Sequence, residues 1–188
     1  MHIGDSTSVG LMSPAYLADP ALRIDAQYAR VGATDFHNEI SGARSTEERL
    51  KGQQNAVEVA QRLRASGYQG CWVIALGNTD AANIAVGSRL SAAARIDRMF
   101  AVIGDVDPVL WVTPKTLRTS GPYANSNMVA WNAELVAATA RHPNLRVFDW
   151  ASVVEDDWYQ RDRIHYTSFG YAERARLIAD ALAAAFPA

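Results

Sequence analysis

At 188 residues the chain is long enough for one domain with a substantial core. Apolar residues make up 49% and charged residues 20%, an ordinary balance for a globular protein. The formal charge of -2, with both signs interspersed, leaves no basic footprint for nucleic acid and no polybasic run for anionic lipid, and no apolar stretch reaches the roughly 18 residues of a membrane span.

The chain opens on Met1-His2-Ile3, then Gly4-Asp5-Ser6. Three residues are a short lead-in for a strand. They predict a chain trimmed from a longer one, with a presequence or neighbouring domain outside it and an exported or membrane-anchored parent as one reading. Leu22 to Tyr28 is expected as a strand, and Val31 to Arg44 as irregular chain. Ser45-Thr46-Glu47-Glu48 has the Ser-x-x-Glu spacing of a capping box. The helix it starts is expected to carry Leu50, Val57, Ala60 and Leu63 on one face and to stop at Gly67.

Cys71 to Leu76 is a continuous apolar run, as in a strand covered on both faces. Its cysteine, the only one, has no internal disulfide partner. It is expected as a buried, unreactive thiol and does not fix the compartment. Gly77-Asn78-Thr79-Asp80 reads as the turn that follows. Leu90 to Ile103 is expected to be helical, with Ile96, Met99, Phe100 and Ile103 at three- and four-residue spacing. Asp107-Pro108 turns the chain into the strand Val109 to Val112. A helix over Asn125 to Arg141, a strand over Leu145 to Trp150 and a helix over Ser168 to Ala185 complete the pattern.

The alternation predicts an α/β fold, a central parallel sheet between two helical layers. Ligands of such sheets bind beyond the carboxyl ends of the strands. Ser6, Gly32, Gly77-Asn78, Pro114 and the stretch with Asp162 and His165 are all expected there.

Ser6, His165 and Asp162 are the three group types that make a neutral hydroxyl nucleophilic: the imidazole takes the serine proton, and the carboxylate fixes the tautomer and stabilises the imidazolium. Each motif has a plainer reading by itself. Gly4-Asp5-Ser6 is a common turn or helix cap, and Asp162-Arg163-Ile164-His165 a loop with a local ion pair. Asp5 suits shaping the turn better than orienting a base. Asn78 or Thr79 could donate a hydrogen bond to an oxyanion, and Gly32 could present an accessible backbone N–H. His37 and Glu39 lack the further ligands a metal site needs, so no metal is expected. Tyr123, Trp158, Tyr159 and Tyr166 read equally well as pocket walls or as loop anchors. Arg44, Lys115 and Arg118 could meet an anionic group or be solvated surface charges.

In their order, these pieces resemble the SGNH hydrolase superfamily, also called GDSL esterases and lipases, over essentially the whole chain. Gly4-Asp5-Ser6 is similar to its first block, Gly32 to its second, Gly77 to Asp80 to its third and Asp162-x-x-His165 to its fifth. The resemblance implies a flavodoxin-like α/β/α sandwich, with Ser6 as nucleophile, His165 as general base and acid, and Asp162 as orienting carboxylate. It implies an oxyanion hole from Ser6, Gly32 and either Asn78 or Thr79. The third block departs from the usual Gly-x-Asn-Asp, because Thr79 stands where Asn is expected. The implied activity is hydrolysis of short acyl esters without a cofactor, on a small-molecule or glycan-borne substrate. The alternatives are acyl transfer to a glycan hydroxyl and a non-catalytic binding module.

Overall fold

The computed structural model describes residues 1–187. Five parallel strands form one sheet: β1 (His2–Gly4), β2 (Asn38–Ile40), β3 (Trp72–Ala75), β4 (Val109–Val112) and β5 (Leu145–Phe148), in the order β2-β1-β3-β4-β5. Among the described residues the α-helices are α1 (Ser6–Val9), α2 (Ile24–Arg30), α3 (Ala56–Ala65), α4 (Asn78–Ala85), α5 (Ala92–Ile103), α6 (Asn125–Ala138), α7 (Trp150–Val153) and α8 (Ser168–Ala185). Helices cover both faces of the sheet, which is the predicted three-layer α/β/α sandwich. Among the described residues no helix is long and apolar enough to cross a membrane.

The layering follows from the two-residue period of the strands. In β3, Trp72 and Ile74 point into a core shared with α3, α5 and α6, while Val73 and Ala75 point into a second core with α2 and α8. In β4, Trp111 joins the first core, and Leu110 and Val112 join the second. Each fully buried Ile or Leu contributes roughly 1.5–3 kcal/mol, so continuous apolar runs are what a strand buried on both sides requires. Cys71 lies just before β3 and is half-buried, not buried as expected. Burial still raises its thiol pKa.

Three segments differ from expectation. Ile24–Arg30 is a helix, not a strand; Ile24 and Tyr28, four residues apart, pack on the same helical face against α8. The edge strand β2 falls instead at Asn38–Ile40, inside the stretch expected to be irregular. The Ser45–Glu48 cap forms, with the Glu48 N–H donating to Ser45 Oγ at 2.9 Å, but no helix follows it. Helix α3 starts ten residues later. There Asn55 and Glu58 make a complete capping box, and Asn55 Oδ1 accepts from the Glu58 N–H at 2.9 Å. The Gly77-Asn78-Thr79-Asp80 stretch also differs from the expected turn: Gly77 caps α4, and Asn78, Thr79 and Asp80 form its buried first turn.

Candidate active site

Ser6 is the first residue of α1, directly beyond the carboxyl end of β1, which lies between β2 and β3 in the sheet. The Asp5 carboxylate caps the helix. It accepts from the Thr7 N–H at 2.9 Å and the Thr7 hydroxyl at 2.7 Å, so it shapes the turn and does not orient a base. Burial raises the Asp5 pKa, and the two bonds from Thr7 work against that rise. Gly4 is needed because α1 folds back closely: a Cβ there would lie 2.6 Å from Ser8 Cβ. The strand-to-helix junction leaves the Ser6 N–H pointing out of the helix N-terminus, where negative charge is favoured.

His165 reaches this point from the other end of the chain. Its Nε2 is 2.8 Å from Ser6 Oγ, and its Nδ1 is 2.6 Å from Asp162 Oδ2. The second Asp162 oxygen accepts the backbone N–H groups of Ile164 and His165 at 2.9 and 3.0 Å. Burial would raise the Asp162 pKa, but the bonds from His165 and the two backbone N–H groups outweigh it and hold the carboxyl below its usual range. The intervening Arg163 has φ of +64°, the left-handed turn that curls Asp162 back under the ring.

Packing beneath the loop holds the imidazole in place. Gln160 donates its N–H to the His165 carbonyl at 2.7 Å, and its side chain donates to the Tyr166 carbonyl at 2.8 Å. Tyr166 is fully buried and accepts from Trp150 Nε1 at 2.8 Å. Thr167 then caps α8. Trp158, Tyr159 and Tyr166 are thus buried loop anchors. The cleft at the Ser6 hydroxyl is lined instead by Val9, Gly10, Tyr16, Gln160 and Tyr171, in a cavity of about 360 Å³.

The loops on both sides of Ser6 come from the neighbouring strands. On one side, Ser41 continues β2 and donates its N–H to the Gly4 carbonyl at 3.1 Å, which brings Gly42 to the carboxyl end of the sheet beside β1. Among the described residues, neither the Ser6 nor the Gly42 N–H has an acceptor in the chain. On the other side, Ala75 pairs with Gly4, and Gly77 turns the chain into α4 with φ of +140°. A Cβ on Gly77 would lie 2.5 Å from Trp131 Nε1, so both the conformation and the space demand glycine. Asn78 and Thr79 follow as buried first-turn residues, and the Asn78 amide oxygen is buried without a partner.

Gly32 does not belong to this site. It lines a cavity of about 330 Å³ with Met1, Tyr28, Phe36, Tyr68 and Cys71, at the amino ends of the strands. The misread strand over Leu22 to Tyr28 explains the error, because the loop beyond the true β2 begins at Ser41.

A charged network that the sequence reading missed ties the two flanking loops together. Arg95 is fully buried on α5 and donates to Asp80 Oδ1 at 2.8 Å, to Glu48 Oε2 at 2.7 Å and to the Ser88 hydroxyl at 2.7 Å. Asp80 Oδ1 also accepts the Thr46 N–H at 3.0 Å and the Thr46 hydroxyl at 2.6 Å. The loop after β2 is therefore fastened to the start of α4 through buried charges.

No protein-family profile matches the chain, and no curated protein is detectably similar in sequence. Solved structures are similar in shape. A carbohydrate acetylesterase family member from Sinorhizobium meliloti superposes with a TM-score of 0.72 at 15% identity, over 98% of each chain. The catalytic domain of peptidoglycan O-acetyltransferase A from Streptococcus pneumoniae superposes with a TM-score of 0.69 at 18% identity, over 98% of this chain and 90% of that one. An aryl esterase from M. smegmatis gives 0.68 at 17% identity, over 98% and 99%. This chain has the SGNH hydrolase fold. The strand order β2-β1-β3-β4-β5 is that of the SGNH fold, and Ser6, Asp162 and His165 stand together at the carboxyl end of its sheet.

Proposed function

We propose that the chain hydrolyses short-chain acyl esters, of the acetyl type, through an acyl-enzyme on Ser6. The observation that carries this reading is the continuous hydrogen-bonded path from Asp162 through His165 to Ser6, with the serine at a helix N-terminus. In the first step Ser6 Oγ attacks the ester carbonyl carbon and its proton passes to His165 Nε2. The oxyanion that forms accepts hydrogen bonds from the Ser6 and Gly42 N–H groups and from a side chain of the Asn78-Thr79 pair. The C–O bond to the alcohol breaks, and His165 returns the proton to the departing oxygen. Water then attacks the acyl-enzyme and gives its proton to Nε2; collapse releases the acid and restores Ser6.

Asp162 keeps a proton on Nδ1, so that Nε2 is the free base, and it stabilises the cation formed after transfer. The shallow cleft beside Ser6 suits a small acyl group, and Tyr16 offers an apolar face to the rest of the substrate. The likeness to a carbohydrate acetylesterase supports a sugar-borne ester. The likeness to a peptidoglycan O-acetyltransferase domain supports a second reading, capture of the acyl-enzyme by a glycan hydroxyl in place of water. Product analysis separates the two: transfer yields acetylated acceptor, and hydrolysis yields only free acetate.

The test of the primary reading is turnover of 4-nitrophenyl acetate by wild type and Ser6→Ala. The substitution should abolish turnover while the circular dichroism spectrum stays the same. Undiminished activity in Ser6→Ala would remove Ser6 from the chemistry.

A further inference from the structure

The loop that carries Gly42 is a tight turn clamped from the side by Gln53. Ser41, Gly42, Ala43 and Arg44 form the turn, closed where the Arg44 N–H donates to the Ser41 carbonyl at 3.3 Å. Ala43, its third residue, has φ of +54°, while Gly42, its second, does not have positive φ. That combination is a type II turn, which favours glycine at the third position because other residues are strained there. Rotating the Gly42–Ala43 peptide by half a turn would return Ala43 to negative φ, as in a type I turn, and relieve it. Gln53 opposes that rotation. Its Nε2 donates to the Gly42 carbonyl at 3.1 Å, and its Oε1 accepts from the Ser41 hydroxyl. The two bonds fix which end of the amide faces which partner, because a carbonyl can only accept. Among the described residues no other donor reaches the Gly42 carbonyl. Gln53 itself stands on a firm base. Its N–H donates to the Leu50 carbonyl at 3.0 Å, and two residues later Asn55 caps α3 with a full capping box. Alongside, Arg44 donates to the Gln54 carbonyl at 3.2 Å and the Ala56 N–H to the Ser45 carbonyl at 2.9 Å, so the turn is zipped to the start of α3.

We infer that Gln53 is a positioning residue for ester hydrolysis: by pinning the Gly42 carbonyl it holds the turn in the conformer that presents the Gly42 N–H to the oxyanion. The inference rests on the donor role proposed for Gly42. The polar groups around that N–H are occupied, the Ser41 N–H by the Gly4 carbonyl, the Ser41 carbonyl by Arg44 and the Gly42 carbonyl by Gln53. The N–H itself is left free for substrate. Because the turn is closed at both ends, a flip of the Gly42–Ala43 peptide also tilts the adjoining Ser41–Gly42 peptide, and the donor with it. Oxyanion donors act only where they are aimed in advance at the developing charge. A misplacement of about 1 Å in such a group is enough to cost about a hundredfold in rate.

The experiment measures 4-nitrophenyl acetate hydrolysis and inhibition by phenylboronic acid in wild type, Gln53→Ala, Gln53→Glu and Gly42→Pro, at about pH 8, where a glutamate is ionised. The boronic acid adds to Ser6 Oγ as a tetrahedral anion, so its affinity reports the oxyanion donors. In both Gln53 variants kcat should fall by about tenfold to a hundredfold, with KM changed by less than about threefold. The inhibition constant of the boronic acid should rise by the factor that kcat loses. Gln53→Glu is the sharper variant. It keeps the size of glutamine and the acceptor for Ser41 and loses the donor to the Gly42 carbonyl, so a packing role would survive in it. Unchanged kcat in Gln53→Glu beside an impaired Gly42→Pro would overturn the clamp and leave the Gly42 donor standing. A fall in kcat with no change in the boronic acid constant would overturn it equally. Full activity in Gly42→Pro would instead remove Gly42 from the oxyanion site, and the catalytic role of Gln53 with it. Should wild type turn over no ester, the hydrolase reading fails, and backbone chemical shifts decide the clamp. Ala43 should leave the left-handed region in Gln53→Ala, and a retained positive φ would dismiss the clamp.

Discussion

The imidazole of His165 and the hydroxyl of Ser6 are hydrogen-bonded at 2.8 Å although 159 positions separate them in the chain. The contact exists because β1 lies inside the sheet, between β2 and β3, and because α8 is capped by Thr167, two residues after the histidine. Fold and chemistry are coupled at that cap. The same turn that starts the last helix delivers the base.

Replacing Asp162 by Asn should leave the protein folded and lower kcat on 4-nitrophenyl acetate by about two to four orders of magnitude, because the amide no longer selects the Nδ1–H tautomer or stabilises the imidazolium. KM should change far less. A fall in kcat of less than threefold would show that the Asp162–His165 bond plays no part in the reaction.

The oxyanion donors are separable by substitution. Losing one donor costs about 10²–10³ in kcat. Gly42→Pro, which removes the N–H, should show a loss of that size. Gly32→Ala, at a position with φ of +91° and open space around it, should cost stability by about 1 kcal/mol and leave kcat alone. Asn78→Ala and Thr79→Ala, measured side by side, should assign the third donor to whichever variant loses kcat. The reverse pattern for the two glycines would return the donor role to Gly32.

Arg95 should be among the most sensitive positions for stability. Its removal strands Asp80 and Glu48 with no compensating charge, and breaking a buried pair in this way costs about 3–5 kcal/mol. Urea unfolding of Arg95→Met is the check. A loss under 1 kcal/mol would mean that the loop after β2 is held by something other than this network.

Acid sensitivity follows from Glu48. Burial would raise its pKa, but hydrogen bonds from Arg95, Ser45 and Ser88 outweigh it and lower the value from 4.5 to about 2. A carboxylate whose folded pKa is depressed stabilises the fold at pH values above its unfolded pKa, and that stabilisation is lost as the pH falls through the folded pKa. The difference in melting temperature between wild type and Glu48→Gln should therefore be full at pH 6 and shrink steadily from about pH 4.5 toward pH 2. A gap that does not change across that range would mean that Glu48 is not held in its ionised form.

Much of this was legible in the amino-acid pattern. The strands at Trp72–Ala75 and Val109–Val112 announce themselves as unbroken apolar runs because both their faces are buried. The last helix is legible with its bounds intact from the three- to four-residue spacing of Ala175, Ile178 and Leu182. The region between Leu22 and Arg44 was not legible. Ile24, Ala26 and Tyr28 fit a two-residue period, while Ile24 and Tyr28 also fit the helical one, and only packing against α8 decides between them. The true strand there is three residues long on a sheet edge, too short and too polar to show a period. That single ambiguity points the second block to Gly32, whereas the loop beyond the observed β2 holds Gly42. The Ser45–Glu48 cap was a correct local reading without a helix behind it, because Glu48 is committed to Arg95 across the fold.

The most direct measurement is covalent labelling with a fluorophosphonate, followed by peptide mass mapping. The account predicts one adduct per chain, on Ser6, formed by wild type and lost or greatly slowed in His165→Ala. Folded wild-type protein that takes up no label, or carries it elsewhere while Ser6 stays unmodified, would contradict the assignment of Ser6 as the nucleophile.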